Sequence, residues 1–145
     1  MKTIHHLVDI DAPGATVWSA LTEQEHMAQW WTTRVDAPAP AVGAVVTWTF
    51  AGDFNPVMET TTLVDQSELG WRCIGGHDPW ANGTFRFTLE NLDDGRCRLR
   101  FWQDYAIELS DDAFGIYNFN WGYYLESLRL VCTQGVGRPF QPSAS

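Results

Sequence analysis

The sequence predicts an α+β fold: a curved antiparallel sheet of about six strands, two short helices, and a long C-terminal helix that encloses a cavity against the sheet. Three observations lead there. Apolar and polar residues alternate from about residue 44 to residue 106, the period of strands with one buried face. Beyond that the period changes: Tyr117, Trp121, Tyr124, Leu125, Leu128 and Val131 recur at three- and four-residue steps, the stripe of one helix face. Eight tryptophans in 145 residues supply more ring than such a helix and sheet pack without leaving space. An antiparallel sheet of this size curls, and a helix with a wide aromatic stripe must lie on its concave side.

The elements follow in order. Residues 2–10 read as a strand, with Ile4, Val8 and Ile10 on one face and His6 between them. Pro13 opens a short helix as its first residue, where a missing N–H costs nothing, and the helix runs to about Leu21. Thr22-Glu23-Gln24-Glu25 has the form of a capping box and starts a second short helix through Trp30-Trp31. Pro38, Pro40 and Gly43 mark a loop, after which Ala44, Val46, Trp48 and Phe50 alternate with Val45, Thr47 and Thr49. Further strands follow at about 57–65, 69–75, 83–92 and 96–106, separated by Gly, Asp, Asn and Pro clusters.

The turn Asp93-Asp94-Gly95 fixes one register. A two-residue turn would pair Glu90 with Leu99 and bring a charge to the apolar face. A three-residue loop with Gly95 in the left-handed conformation keeps the faces matched. Leu89 then opposes Leu99, Phe87 opposes Phe101, Phe85 opposes Gln103, and on the outer face Glu90 opposes Arg98. Gln103 is thereby left as a polar group in an apolar row.

The C-terminal helix starts between Asp112 and Asn118, with Ser110, Asp111 and Asn118 as alternative caps, and runs about five turns to Gln134. Gly135 ends it as a left-handed cap and Pro139 forbids its resumption. Phosphate loops place glycines before a helix, where free N–H groups point outward. Gly135-Val136-Gly137 comes after one and reads as a stop signal.

Nine basic against eighteen acidic residues give a net charge of −9, and Lys2 is the only lysine. Nucleic acid and anionic membranes repel such a surface, so neither is expected as a partner. Arg96, Arg98 and Arg100 share one strand face and read as a solvated outer face. Cys73, Cys97 and Cys132 are odd in number and far apart; they read as small buried apolar residues, with no structural metal expected. No apolar run is long enough to span a bilayer, and Met1 to His6 has no signal-peptide core, so a single domain over 1–145 in the cytoplasm is expected.

The order of elements resembles the SRPBCC, or START-like, superfamily, which has the helix-grip fold and includes the birch-pollen allergen. Within it, the local phrases resemble the group related to the C-terminal domain of the activator of the ninety-kilodalton heat-shock-protein ATPase. The matching residues are Ala12-Pro13, Val17-Trp18 and Leu21, then Trp30-Trp31. At the other end they are Trp121-Gly122-Tyr123-Tyr124-Leu125, Ser127-Leu128 and Gly135-Val136-Gly137-Arg138-Pro139. The resemblance implies a cavity more firmly than an activity: superfamily members carry lipids, hormones and polyketides, and some catalyse cyclisation or dehydration. Many members of the group carry Thr-His near the end of the last strand. Gln103 stands at that His position here, which removes an imidazole able to act as acid or base.

Strand parity and the hairpin register give the cavity lining as Trp48, Phe50, Trp71, Phe85, Phe87, Phe101, Gln103 and Tyr105, faced by Tyr117, Trp121 and Tyr124 from the helix. Such a lining suits a flat hydrophobic ligand, aromatic or acyl-like, oriented by Gln103. The competing reading is a solid core. His77-Asp78, His6 and Glu59 are the ionisable groups whose sidedness matters; His77-Asp78 reads as a pair of turn residues and His6 as a core histidine. No Ser/His/Asp set, H-x-x-x-H or nucleotide fingerprint occurs, so no catalytic residue and no cofactor is assigned. Three functions remain: a small-molecule carrier or sensor, a cyclase, dehydratase or hydrolase acting on such a ligand, and a chaperone-interaction module of a stress response. The second needs two ionisable groups facing the cavity, and the third needs an exposed apolar patch.

Overall fold

Alternation of apolar and polar residues becomes seven strands in the computed structural model, which describes residues 2–143. Met1, Ala144 and Ser145, the ends of the expected span, lie outside the described residues. In chain order the elements are β1 (Thr3–Ile10), α1 (Gly14–Thr22), α2 (Gln24–Met27), β2 (Arg34–Asp36), β3 (Val45–Thr49), β4 (Val57–Val64), β5 (Glu68–Gly75), β6 (Thr84–Asn91), β7 (Cys97–Asp104) and α3 (Asp111–Gln134). They form one antiparallel sheet in the order β1-β7-β6-β5-β4-β3-β2, and α3 packs across its inner face: an α+β helix-grip fold. Two register shifts between β4 and β5 leave Ile74 of β5 and Thr61 of β4 out of the pairing, and such irregularities add curvature to the sheet. Among the described residues no helix is long and apolar enough to cross a membrane.

The β6–β7 hairpin has the expected register. Leu89 opposes Leu99, Phe87 opposes Phe101, Phe85 opposes Gln103 and Glu90 opposes Arg98. Gly95, at φ 84°, donates its N–H to the Leu92 carbonyl and closes the three-residue loop. The ion pairs on the outer face run differently from the register. Glu90 accepts from Arg100 at 2.9 Å, while Arg98 is bidentate to Asp9 on β1 at 2.8 and 3.0 Å.

Four boundaries differ from expectation. The seventh strand, β2, has a single inward residue, Val35, so three residues give no alternation to read. Pro13 is the cap before α1 rather than its first residue. Thr22 belongs to the end of α1, where its hydroxyl donates to the Trp18 carbonyl at 2.8 Å; it is therefore not the cap of α2, which starts after Glu23 and stops at Met27. Trp30 and Trp31 thus lie beyond the helix. Consecutive helical side chains diverge by about 100°, whereas here both indoles turn inward and stack at 5.9 Å.

The final helix is longer than five turns. Its 24 residues make between six and seven turns at about 3.6 residues each. Ser110 caps it by accepting from the Ala113 N–H at 3.1 Å, and Asp111 and Asp112 complement the positive end of the helix dipole. That support carries the helix through Gly115. The second half grips the sheet: Trp121, Leu125 and Leu128 are buried, and Tyr117, Tyr124 and Val131 half-buried. Gly135 ends it at φ 79°.

Candidate functional site

The space between α3 and the sheet is filled by indoles. Trp31 enters from the turn after α2 and meets Trp121 at 4.9 Å, Trp48 at 4.7 Å, Phe50 at 5.1 Å and Trp71 at 6.3 Å. Trp80 enters from the opposite side, on a 3-10 turn over Asp78–Trp80, and lies nearly parallel to both Trp31 and Trp121 at 6.1 Å. The three indoles form a layer across the expected cavity.

What remains open is a pocket of about 420 Å³ beside that layer, at the end of the sheet. Its lining comes from five places: Trp31; Phe50, Ala51 and Phe54 of the β3–β4 loop; His77 and Trp80; Tyr117, Asn120, Trp121 and Tyr124 of α3; and Phe140 of the tail. Of the residues expected to line the cavity, Phe50, Tyr117, Trp121 and Tyr124 do so. Trp48, Trp71, Phe85, Phe87, Phe101, Gln103 and Tyr105 pack behind the indole layer as core instead. The physical reason is the layer itself: Trp31 covers Trp48 and Trp71, Trp80 and Trp121 cover Phe85, and Trp121 covers Phe101. No periodicity gives the direction of Trp31, which stands outside any element.

Gln103 is buried as register demands, but its partner belongs to the protein. Its Oε1 accepts from Trp121 Nε1 at 2.7 Å. Its Nε2, Trp80 Nε1 and the Tyr105 hydroxyl are buried without a hydrogen bond of good geometry. They are still near neighbours: burial holds the Tyr105 hydroxyl far above the ordinary tyrosine range, while Trp80 and Gln103 nearby temper that rise.

The polar feature of the pocket is His77. Its Nδ1 lies 3.1 Å from the Asp53 carbonyl oxygen and its Nε2 lies 2.8 Å from the Tyr117 hydroxyl. The loop that presents Asp53 is locked by Asn55. The Asn55 side chain accepts from the Phe50 N–H and donates to the Gly52 carbonyl, and its own N–H bonds the Gly76 carbonyl. Gly76, at φ 82°, sits against the Asn55 carbonyl with no room for a Cβ, which brings the two loops together. Phe54 and Trp80 meet the imidazole edge-on at 4.8 and 5.5 Å. The Tyr117 pKa is raised, by burial first and by the Asp53 charge second, so the phenol keeps its proton at neutral pH.

His77 therefore faces the pocket rather than serving only as a turn residue, and its partner is Tyr117 rather than Asp78. Forty positions separate the two, so no local motif reveals the pair. His6 lies under α3, its Cε1 3.6 Å from where a Cβ on Gly122 would stand, and does not line the pocket. Glu59 faces outward and accepts from Arg72 at 2.9 Å. Among the described residues, Glu23, Glu25 and His26 form a cluster of potential metal ligands, but they stand at the surface, on the cap and the body of a four-residue helix.

The tail after α3 explains the C-terminal phrase of the sequence. Ser127 donates to the Trp30 carbonyl at 2.9 Å and accepts from the Arg138 N–H at 2.6 Å. Gly137 lies against the Gln29 carbonyl, where any side chain would collide. Phe140 bonds the backbone of Trp31 and Thr33, each at 2.9 Å, which carries its ring to the pocket. The motif thus places Trp30, Trp31 and Phe140 together.

Comparison with known proteins agrees with this fold. The solution structure of the Aha1 dimer from Colwellia psychrerythraea is 26% identical, covering 94% of this chain and 100% of that one, with a TM-score of 0.84. Protein MLL2253 of Mesorhizobium loti is 21% identical over 90% of this chain and 96% of its own, with a TM-score of 0.76. DynU16, a protein of the dynemicin biosynthetic locus, is 18% identical over 94% of this chain, with a TM-score of 0.78; this chain spans 49% of it. The last two show the fold alone. No curated protein sequence matches. The family model described as "Activator of Hsp90 ATPase homolog 1-like protein" matches residues 11–132, and the chain belongs to that family, within the SRPBCC superfamily.

Proposed function

We propose that the protein binds a small, flat hydrophobic molecule, aromatic or acyl-like, in the pocket beside Trp31 and Trp121, as a carrier or sensor. The observation that carries this reading is an aromatic-walled pocket of about 420 Å³ with one hydrogen-bonding pair, His77 and Tyr117, on its wall. That size and that ratio of apolar to polar lining are those of small-molecule sites. A bicyclic ligand burying roughly 200–250 Å² of apolar surface gains about 5–6 kcal/mol before ordering costs. Without those costs the dissociation constant would be on the order of tens to hundreds of micromolar, which is the limit that apolar burial alone sets on affinity.

The catalytic alternative rests on the same pair, since His77 and Tyr117 are two ionisable groups on one wall. Binding is preferred because, among the described residues, no carboxylate joins this pair in the pocket lining: Glu59 is outward, and His6 is under the helix. The chaperone-module alternative rests on Ile116 and Phe119, exposed on the outer side of α3. Competition of an environment-sensitive dye with 1-methylnaphthalene, on the native protein and on Phe54→Ala, tests the proposal. Dye uptake that the hydrocarbon displaces, weakened in the variant, supports it. No uptake of dye or hydrocarbon by the native protein rejects it.

A further inference from the structure

We infer that the pocket selects an aromatic ligand bearing a hydroxyl group, whose O–H donates to the phenol oxygen of Tyr117. The inference rests on the binding reading above and adds the chemical class of the ligand. It starts from the Asp53 carbonyl, which can only accept. At 3.1 Å from that oxygen, His77 Nδ1 must carry the proton. In a neutral imidazole the other nitrogen is then a bare acceptor. Nε2 stands 2.8 Å from Tyr117 Oη, so the tyrosine must donate its proton to it.

This leaves Tyr117 in an unusual state for a pocket phenol. Its proton is committed, and no other hydrogen bond among the described residues reaches its oxygen. The oxygen lone pairs are what the ligand meets. Of the other polar groups near the wall, Trp121 Nε1 donates to Gln103 and Trp80 Nε1 is buried beside Tyr105, while the Asn120 amide belongs to an exposed residue and the Tyr124 phenol stands about two turns further along α3. The wall around Tyr117 thus presents an acceptor among rings. A ligand ether, carbonyl or carboxylate placed there would set lone pair against lone pair, whereas a hydroxyl hydrogen completes the chain from ligand to Tyr117 to His77 to Asp53. A site built to bond a hydroxyl discriminates strongly against an analogue lacking it, since its own polar atom is otherwise left unpaired.

The test titrates three probes in mildly alkaline buffer, where an ordinary imidazole is neutral: 1-naphthol, 1-methylnaphthalene and 1-methoxynaphthalene. A merely apolar pocket binds the methyl compound more tightly than its hydroxyl isostere. The inference expects the reverse, with naphthol favoured by about ten-fold and the methoxy compound weakest. In Tyr117→Phe the order of naphthol and methylnaphthalene inverts. In His77→Leu the Tyr117 O–H loses its acceptor and becomes free to donate to a ligand, so the methoxy compound, an acceptor, tightens several-fold relative to the native protein. Circular dichroism confirms that both variants fold; if His77→Leu does not, the Tyr117→Phe arm decides alone. Methylnaphthalene binding as tightly as naphthol to the native protein, or a naphthol preference that survives in Tyr117→Phe, overturns the inference while leaving the binding reading intact. Failure of all three probes to bind overturns both.

Discussion

Replacing Trp31 by alanine removes the ring that closes the gap between α3 and the sheet. Trp31 is 2% exposed and its indole touches the rings of Trp30, Trp48, Phe50, Phe54, Trp71, Trp80 and Trp121. Those neighbours are held on β3, β5, α3 and the tied loops, so they cannot collapse into the space together. Large-to-small changes at such aromatic sites cost about 3–5 kcal/mol. For a chain of this length that lowers Tm by roughly 10 °C or more. Urea denaturation followed by far-ultraviolet circular dichroism measures the loss without relying on tryptophan emission. The same variant joins the pocket to the deeper space beside Trp48 and Trp71, so a three-ring hydrocarbon that the native pocket excludes should bind it. A loss below about 1 kcal/mol, with no gain in the size of ligand accepted, would refute the role given to this ring.

Three further expectations follow from buried and paired groups. Gln103→Leu leaves the Trp121 indole N–H buried without an acceptor and should cost about 1–3 kcal/mol in urea melts; an unchanged midpoint would mean the 2.7 Å bond contributes nothing. Asp9 is held below the ordinary carboxylate range, first by hydrogen bonds from Arg98 and then by the charges of Arg98, Arg96 and Arg100. Its folded pKa lies below its unfolded value, so its stabilisation is present above that value and is lost as pH falls below about 4. Asp9→Asn should flatten that part of the acid limb, and an unaltered limb contradicts the pairing. Burial raises the pKa of all three thiols, Cys132 to about 12, so none should react readily with a thiol reagent at pH near 8 until the protein is unfolded; rapid labelling of the native state would contradict this burial.

Periodicity made the sheet, the hairpin register and the grip of α3 readable, because each is a repeated relation between neighbours. Phe87 opposite Phe101 follows from counting across a turn. The candidate site was half-legible for the opposite reason. Phe50, Tyr117, Trp121 and Tyr124 are placed by strand or helix parity, and all four line the pocket. Trp31, Phe54, His77, Trp80 and Phe140 stand on turns, loops and the tail, where no period says which way a side chain points. Parity also treats an inward residue as cavity-lining, whereas Trp31, from outside the strands and helices, covers Trp48 and Trp71, and Trp121 packs directly on Phe101. One signal did exist: the paired Trp30-Trp31 and the Ser127 to Pro139 phrase carried the family resemblance, and the structure joins them through Ser127 and the Trp30 carbonyl.

An NMR titration of the isotope-labelled protein with 1-naphthol tests the binding reading most directly, because it reports both whether the ligand binds and where. Ligand binding beside Trp31 should shift, saturably, the indole N–H of Trp31 and the ring signals of Phe50, Phe54, His77, Tyr117 and Tyr124, while Val64 and Leu7, exposed at other places on the fold, stay still. No saturable shift, or shifts confined to the outer face around Ile116 and Phe119, would contradict it.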